Sequence, residues 1–220
     1  MTLSRPDVAE GLVSELEAFE GLVRSLSPSE MSRSSRCAGW SAGDVAAHVI
    51  GSMTDVVEGR FDGLGTPEVT EREVLERRGT SPDELADELA RARKASVDLL
   101  AVFDDDAWNG PAPGGYTGTL GDGVEALWFD AYLHADDIRD AIGRQSVGGP
   151  GVRASLSHLS TVLTQQGWGD ATLTLDGEEP FDIGAGGEPI EGDALEFIKA
   201  ATGRGDPKAF GFDERLNIYR

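Results

Sequence analysis

Three times in the first 85 residues a serine stands three positions before an acid, at the head of an apolar run that recurs every three to four residues. The pairs are Ser4 and Asp7, Ser41 and Asp44, and Ser81 and Glu84, the last with Pro82 between them. Such a serine accepts a hydrogen bond from a first-turn amide and the acid can reach back to the serine's own amide, so each pair marks a helix start. Behind them, Val8, Leu12, Leu16, Phe19, Val23 and Leu26 line one face of the first helix, and Val45, Val49, Ser52 and Val56 one face of the second. Leu85, Leu89, Ala92, Ser96, Leu100 and Phe103 do the same for the third. A fourth segment, "VEALWFDAYLHADDIRDAIG", keeps Leu127, Ala131, Ile138 and Ala141 together and ends at Gly143, a helix-terminating glycine. Helices apolar on one face must bury that face against one another, so residues 1–145 are expected to form an antiparallel four-helix bundle.

Between these helices "SPSEMSRSSRCAG" reads as a polar connector, and the second helix is expected to reach about Phe61, where "DGLGTP" breaks it. A shorter charged helix, "EVTEREVLERRG", follows, and "DDDAWNGPAPGGYTGT" is a long turn-rich loop of a kind that often has a functional reason. After a linker, "RQSVGGPG", the texture changes. Residues 150–220 read as helix "VRASLSHLSTVLTQQ", strand "ATLTLDG", a turn-rich stretch, helix "DALEFIKAATGR" and a closing "RLNIYR". A unit this small is near the lower limit for independent folding and is expected to dock on the bundle. The fold class is α+β, mainly α.

Composition narrows the partners. The chain of 220 residues carries 40 acidic against 19 basic side chains, a formal charge of −21. That field repels phosphate backbones and anionic lipid surfaces, which argues against nucleic-acid and membrane roles. Cys37 is the one cysteine, so neither an intramolecular disulfide nor a cysteine-rich zinc site is available. No apolar run approaches the length of a membrane span, and "MTLSRPDVAEGL" lacks the apolar core of a signal peptide; a cytoplasmic location is expected.

Two histidines interrupt the apolar faces. His48 stands in the stripe of the second helix and His134 in that of the fourth, with Asp130 one turn before His134 and Asp137 three residues after it. Side chains at these spacings share a helix face, about 5–6 Å apart at Cβ. An imidazole and a carboxylate so placed can share a metal, and His48 becomes a third ligand if the two helices face each other. A lone histidine on an apolar face is more often a hydrogen-bonded core residue, and with 40 acids in 220 residues an acid four positions before a histidine is common. Asp44 precedes His48 by four as well, explained by capping. Spacing alone leaves both readings open. His158, on a helix of the second unit, reads as surface or packing.

In order along the chain, "CAGWSAGDVAAHV", "DAYLHADDIRDAIG" and "IEGDALEFIKAATGR" resemble segments of the mycothiol-dependent maleylpyruvate isomerase family, a branch of the DinB-like metal-binding four-helix bundles. The first resembles the family's Cys-Pro-Gly-Trp segment leading to a histidine. The second resembles its Glu-x-x-x-His-x-x-Asp segment, and the third the end of its C-terminal sterol-carrier-like domain. The resemblance implies that His48, Asp130 and His134 bind a divalent metal, Zn2+ above all, with Asp137 as an acid supporting a ligand or facing substrate. It further implies anion-binding roles for Arg204 and for Arg77 or Arg78, with Arg78 preferred. Asp130 stands where the family usually has Glu. One methylene less shortens the reach by about 1 Å, so the helix must sit closer or the carboxylate must bind differently. Cys37 reads as a small packed residue rather than a nucleophile.

The activity so implied is thiol-dependent. Three protein ligands leave coordination room, which the family fills with mycothiol, and zinc ionises a coordinated thiol. The thiolate adds to a cis double bond conjugated with a carbonyl, and rotation with expulsion of the thiol gives the trans isomer. The partners implied are a small-molecule electrophile and a low-molecular-weight thiol, on a monomer or homodimer. A mycothiol S-transferase would use the same metal without a carboxylate clamp. A non-catalytic metal-binding or ligand-binding bundle is the third reading.

Overall fold

Helices begin where the capping pairs stand. The elements of the computed structural model, which describes residues 3–220, run α1 (Arg5–Arg24), α2 (Pro28–Met31), α3 (Ala42–Val57), α4 (Pro67–Arg77), α5 (Pro82–Val102), α6 (Asp105–Trp108) and α7 (Leu120–Ala141). Then follow α8 (Pro150–Gln165), β1 (Ala171–Leu175), β2 (Phe181–Ile183), β3 (Pro189–Gly192) and α9 (Ala194–Ala201). Ser41 and Asp44 close a capping box at α3, as do Ser81 and Glu84 at α5 and Thr119 and Asp122 at α7. At its far end α7 stops before Gly143, whose φ of 73° only glycine adopts without strain.

The chain divides into two compact units, Arg5–Val147 and one built on Gly148–Arg220. In the first, α1 and α3 each pack on both α5 and α7, so four long helices share one core. Leu12, Leu16, Phe19 and Val23 of α1, Val45, Val49 and Ile50 of α3, Leu85 and Leu89 of α5, and Leu133 and Ile138 of α7 are buried in it. Each such side chain contributes about 1.5–3 kcal/mol. α1 approaches α7 closely because Gly11 has no side chain: a Cβ there would overlap the Trp128 ring. Gly11→Ala should therefore destabilise the bundle by about 1–3 kcal/mol in chemical unfolding, overpacking outweighing the better helix propensity of alanine. An unchanged midpoint would show that the Trp128 ring can yield.

In the second unit β1 is the central strand, antiparallel to β2 with Leu173 opposite Phe181 and parallel to β3 with Leu173 opposite Ile190. Ala171, Leu173 and Leu175 point into its core while Thr174 is exposed, the alternation of a strand covered on one face. α8 packs on β2 and α9.

Several local expectations are corrected. The second helix stops at Val57, not near Phe61, because Gly59 takes a φ of 73° and turns the chain. Val56 is only half-buried, and Asp55 is buried instead, ion-paired with Arg60 and Arg72. The polar connector holds a one-turn helix, α2, closed by its own capping box of Ser27 and Glu30. The turn-rich stretch of the second unit contains β2 and β3, three and four residues long.

Candidate metal centre

The capping box of Ser41 fixes the start of α3, and two turns further on His48 is 8% exposed. From α7, His134 is 9% exposed, and the two imidazoles meet edge to face with centroids 5.2 Å apart. Both rings turn Nε2 toward one side chain: Asp130 Oδ2 lies 3.6 Å from Nε2 of His48 and Oδ1 lies 3.4 Å from Nε2 of His134. Both Nδ1 atoms meet a different acid. His48 Nδ1 donates to Glu73 Oε2 of α4 at 2.8 Å, and His134 Nδ1 to Asp137 Oδ2 at 2.9 Å. Glu73 is 1% exposed and Asp137 is 0% exposed.

These distances fall into two kinds. The Nδ1 pairs are hydrogen bonds. The Nε2 pairs are too long for that, yet two atoms each about 2.0–2.2 Å from a common ion at a tetrahedral angle lie about 3.3–3.6 Å apart. A carboxylate on the far nitrogen of each histidine is also the usual support of a metal-binding imidazole, since it leaves the Nε2 lone pair facing the ion. The residues present therefore fit a divalent cation. Asp130 with its shorter side chain already reaches both nitrogens, and 29% of that side chain remains accessible. The Trp40 ring packs on His48, centroids 5.4 Å apart.

Charge in the cluster is strongly coupled. Burial disfavours the imidazolium of His48, but Asp130 and Glu73 outweigh it and raise its pKa. Burial likewise opposes the charged form of His134, and Asp130, Asp137 and Cys37 hold its pKa well above the ordinary value. For Asp130, burial pushes upward while the two imidazoles beside it hold the carboxyl well below the usual range.

The structure brings His48, Asp130, His134 and Asp137 together. Asp137 also accepts from Cys37 Sγ at 3.2 Å and lies 3.2 Å from Arg36 Nε, while Arg36 reaches Asp136 at 2.6 Å. Cys37 Sγ also lies 3.8 Å from His134 Nδ1, a neighbour brought to it from α7 by the fold. Together Cys37, His134 and Asp137 form a second set of atoms close enough to share an ion. Arg77 is buried and committed, through Nε and Nη2, to Glu88 and through Nη1 to the Glu73 carbonyl. Arg78 pairs with Asp44, one turn before His48, and keeps half its side chain exposed. Arg204 belongs to the second unit, where Nη1 donates to the Thr202 carbonyl. His158 is buried there, 8% exposed.

A family model, the mycothiol maleylpyruvate isomerase N-terminal domain, matches residues 12–139. The chain belongs to that family. The match takes in His48, Glu73, Asp130, His134 and Asp137 and leaves Arg204 outside. Two solved structures share the fold: crystal structures of the mycothiol-dependent maleylpyruvate isomerase and of a variant with one histidine replaced by alanine. Each is 18% identical to this chain and covers 97% of it and 98% of its own chain, with TM-scores of 0.66 and 0.65 respectively. No curated protein sequence matches the chain. Among the described residues no helix is long and apolar enough to cross a membrane.

Sequence reasoning missed Glu73, Arg36 and the placement of Cys37. Glu73 gave no local signal, although with Val74 and Arg77 it forms the buried face of α4. Seven charged residues among positions 68–79 hid it. Arg36 and Cys37 lie about a hundred positions from their partners, where local spacing carries nothing.

Proposed function

We propose that this chain is a zinc-dependent enzyme that employs mycothiol, or a thiol like it, in cis–trans isomerisation of a small electrophile of the maleylpyruvate type. The observation that carries the reading is the convergence of two buried Nε2 atoms on Asp130 while buried acids hold both Nδ1 atoms. Family membership supports the choice of thiol and of reaction. His48, Asp130 and His134 would hold the ion. Zinc, when bound, ionises a coordinated thiol near neutral pH and so supplies the nucleophile.

The chain's own residues do the rest. Asp137 fixes the tautomer and tilt of the His134 imidazole. Asp137, fully buried, is assigned that orienting role and not one on substrate. Arg78 is assigned to a substrate carboxylate, since a net charge of −21 requires a local cation to hold an anionic substrate. Arg77 is excluded from that task by its bonds to Glu88 and Glu73. An S-transferase on the same centre would have no use for this arginine. Arg78→Ala should therefore weaken an isomerase toward dicarboxylates by about 10-fold or more, a charge-assisted bond contributing about 1.5–3 kcal/mol. An S-transferase would not change.

Metal content of protein purified without chelator is the first measurement, and one divalent ion per chain is expected. Because both histidine pKa values are raised, protons compete with zinc for the two imidazoles beyond the ordinary histidine range, so affinity should keep climbing as pH rises past about 6.5. The same shifts set the sign for the metal-free fold. A raised histidine pKa contributes stability that is complete below the unfolded value and is lost as pH rises through the folded one. The metal-free protein should thus lose stability on alkalinisation. Substoichiometric metal that added zinc fails to restore would sink the reading.

A further inference from the structure

The two imidazoles are supported in unequal ways. His134 takes its acid from its own helix, three residues on, whereas His48 takes Glu73 from α4, 25 residues away. Glu73 is 1% exposed, and while Oε2 accepts from His48 Nδ1, Oε1 is buried with no hydrogen-bond partner among the described residues. Packing alone would favour a leucine at such a place, because an unmatched buried carboxylate oxygen is costly. The surroundings nonetheless bring the acid in. A Cβ at Gly51 would stand 2.6 Å from Glu73 Cβ and 2.8 Å from Arg77 Nη1, so α4 reaches this depth only because α3 has no side chain there. Arg77 then pins the last turn of α4 to the Glu73 carbonyl at 3.1 Å and to Glu88 of α5 at 2.6 Å.

We infer that Glu73 is a positioning residue for the metal centre, holding His48 by Nδ1 so that Nε2 faces Asp130 and His134. The inference rests on the metal reading above. It makes the docking of α4 on α3 a condition of tight metal binding rather than a detail of core packing.

The test is zinc affinity by chelator competition, with thermal unfolding of the metal-free protein beside it, for the parent, Glu73→Leu and Glu73→Gln. Glu73→Leu removes the unmatched Oε1 along with the partner of Nδ1, two effects that offset, so it should unfold near the parent temperature and bind zinc about 10–100-fold more weakly, the usual consequence of losing a ligand's orienting partner. Glu73→Gln keeps an oxygen that accepts from Nδ1 and should recover most of the loss. A Leu variant that binds zinc like the parent overturns the inference, and so does one that unfolds for want of a merely structural acid. A Gln variant no better than Leu overturns it too. A parent that takes up no zinc removes the functional reading itself, and that result appears before any variant is made.

Discussion

His134→Ala is expected to leave the protein unable to retain zinc and without thiol-dependent turnover. His134 supplies one of two Nε2 atoms facing Asp130, so its loss removes a ligand and not merely the support of one. The fall in affinity should exceed the about 10–100-fold that follows loss of an orienting partner. Calorimetric titration and metal analysis after dialysis read this directly. Stability reads it a second way. Zinc at 100 times its dissociation constant stabilises the parent by about 2.7 kcal/mol, and the variant should gain almost nothing from the same addition. In the metal-free state the variant also leaves Asp137, fully buried, without its imidazole partner, a cost of roughly 1–3 kcal/mol. Cobalt substitution separates enzyme from binding module, since a thiol reaching the metal of the parent adds a charge-transfer band. A His134→Ala protein that keeps zinc and turns over would show that the ligand set is wrong.

The legible part of this centre is the part that violates a local pattern. His48 and His134 stand where an apolar residue is expected, and the one-turn spacing of Asp130 and His134 shares a helix face whatever the tertiary structure. Glu73 violates nothing visible. Its helix is charged throughout, and its depth in the unit depends on a side chain that Gly51 lacks, a feature that hydrophobic periodicity does not weigh. The fold divides in the same way. Long helices announce themselves by repeated faces and capping serines. α2 carries the same Ser-Pro-x-Glu start as α5, yet one turn offers no periodicity to read. β2 and β3 are strands by virtue of pairing with β1, and three or four residues hold too little alternation to show it.

Asp137→Ala should do what Glu73→Leu should not: damage the metal centre and the fold together. Asp137 is 0% exposed and gathers three groups, accepting from His134 Nδ1 and Cys37 Sγ on Oδ2 while Arg36 lies against Oδ1. Alanine would strand the His134 imidazole in a buried place and take from Arg36 one of its acids, leaving it Asp136, so stability should fall by about 1–3 kcal/mol. Zinc affinity should fall by about 10–100-fold as His134 loses its orientation. Asp137→Asn should be milder in both respects, because the amide keeps the shape and one accepting oxygen but presents an N–H₂ group to one of the donors. Chemical unfolding of the metal-free proteins and chelator competition, run on the same samples, compare the two acids. If Glu73→Leu weakens zinc without lowering stability while Asp137→Ala lowers both, the centre has one acid committed to the ligand and one shared with the core. Equal stability losses for the two would mean that the unmatched oxygen of Glu73 is not the liability its burial implies, and that both acids hold the bundle together first and the metal second.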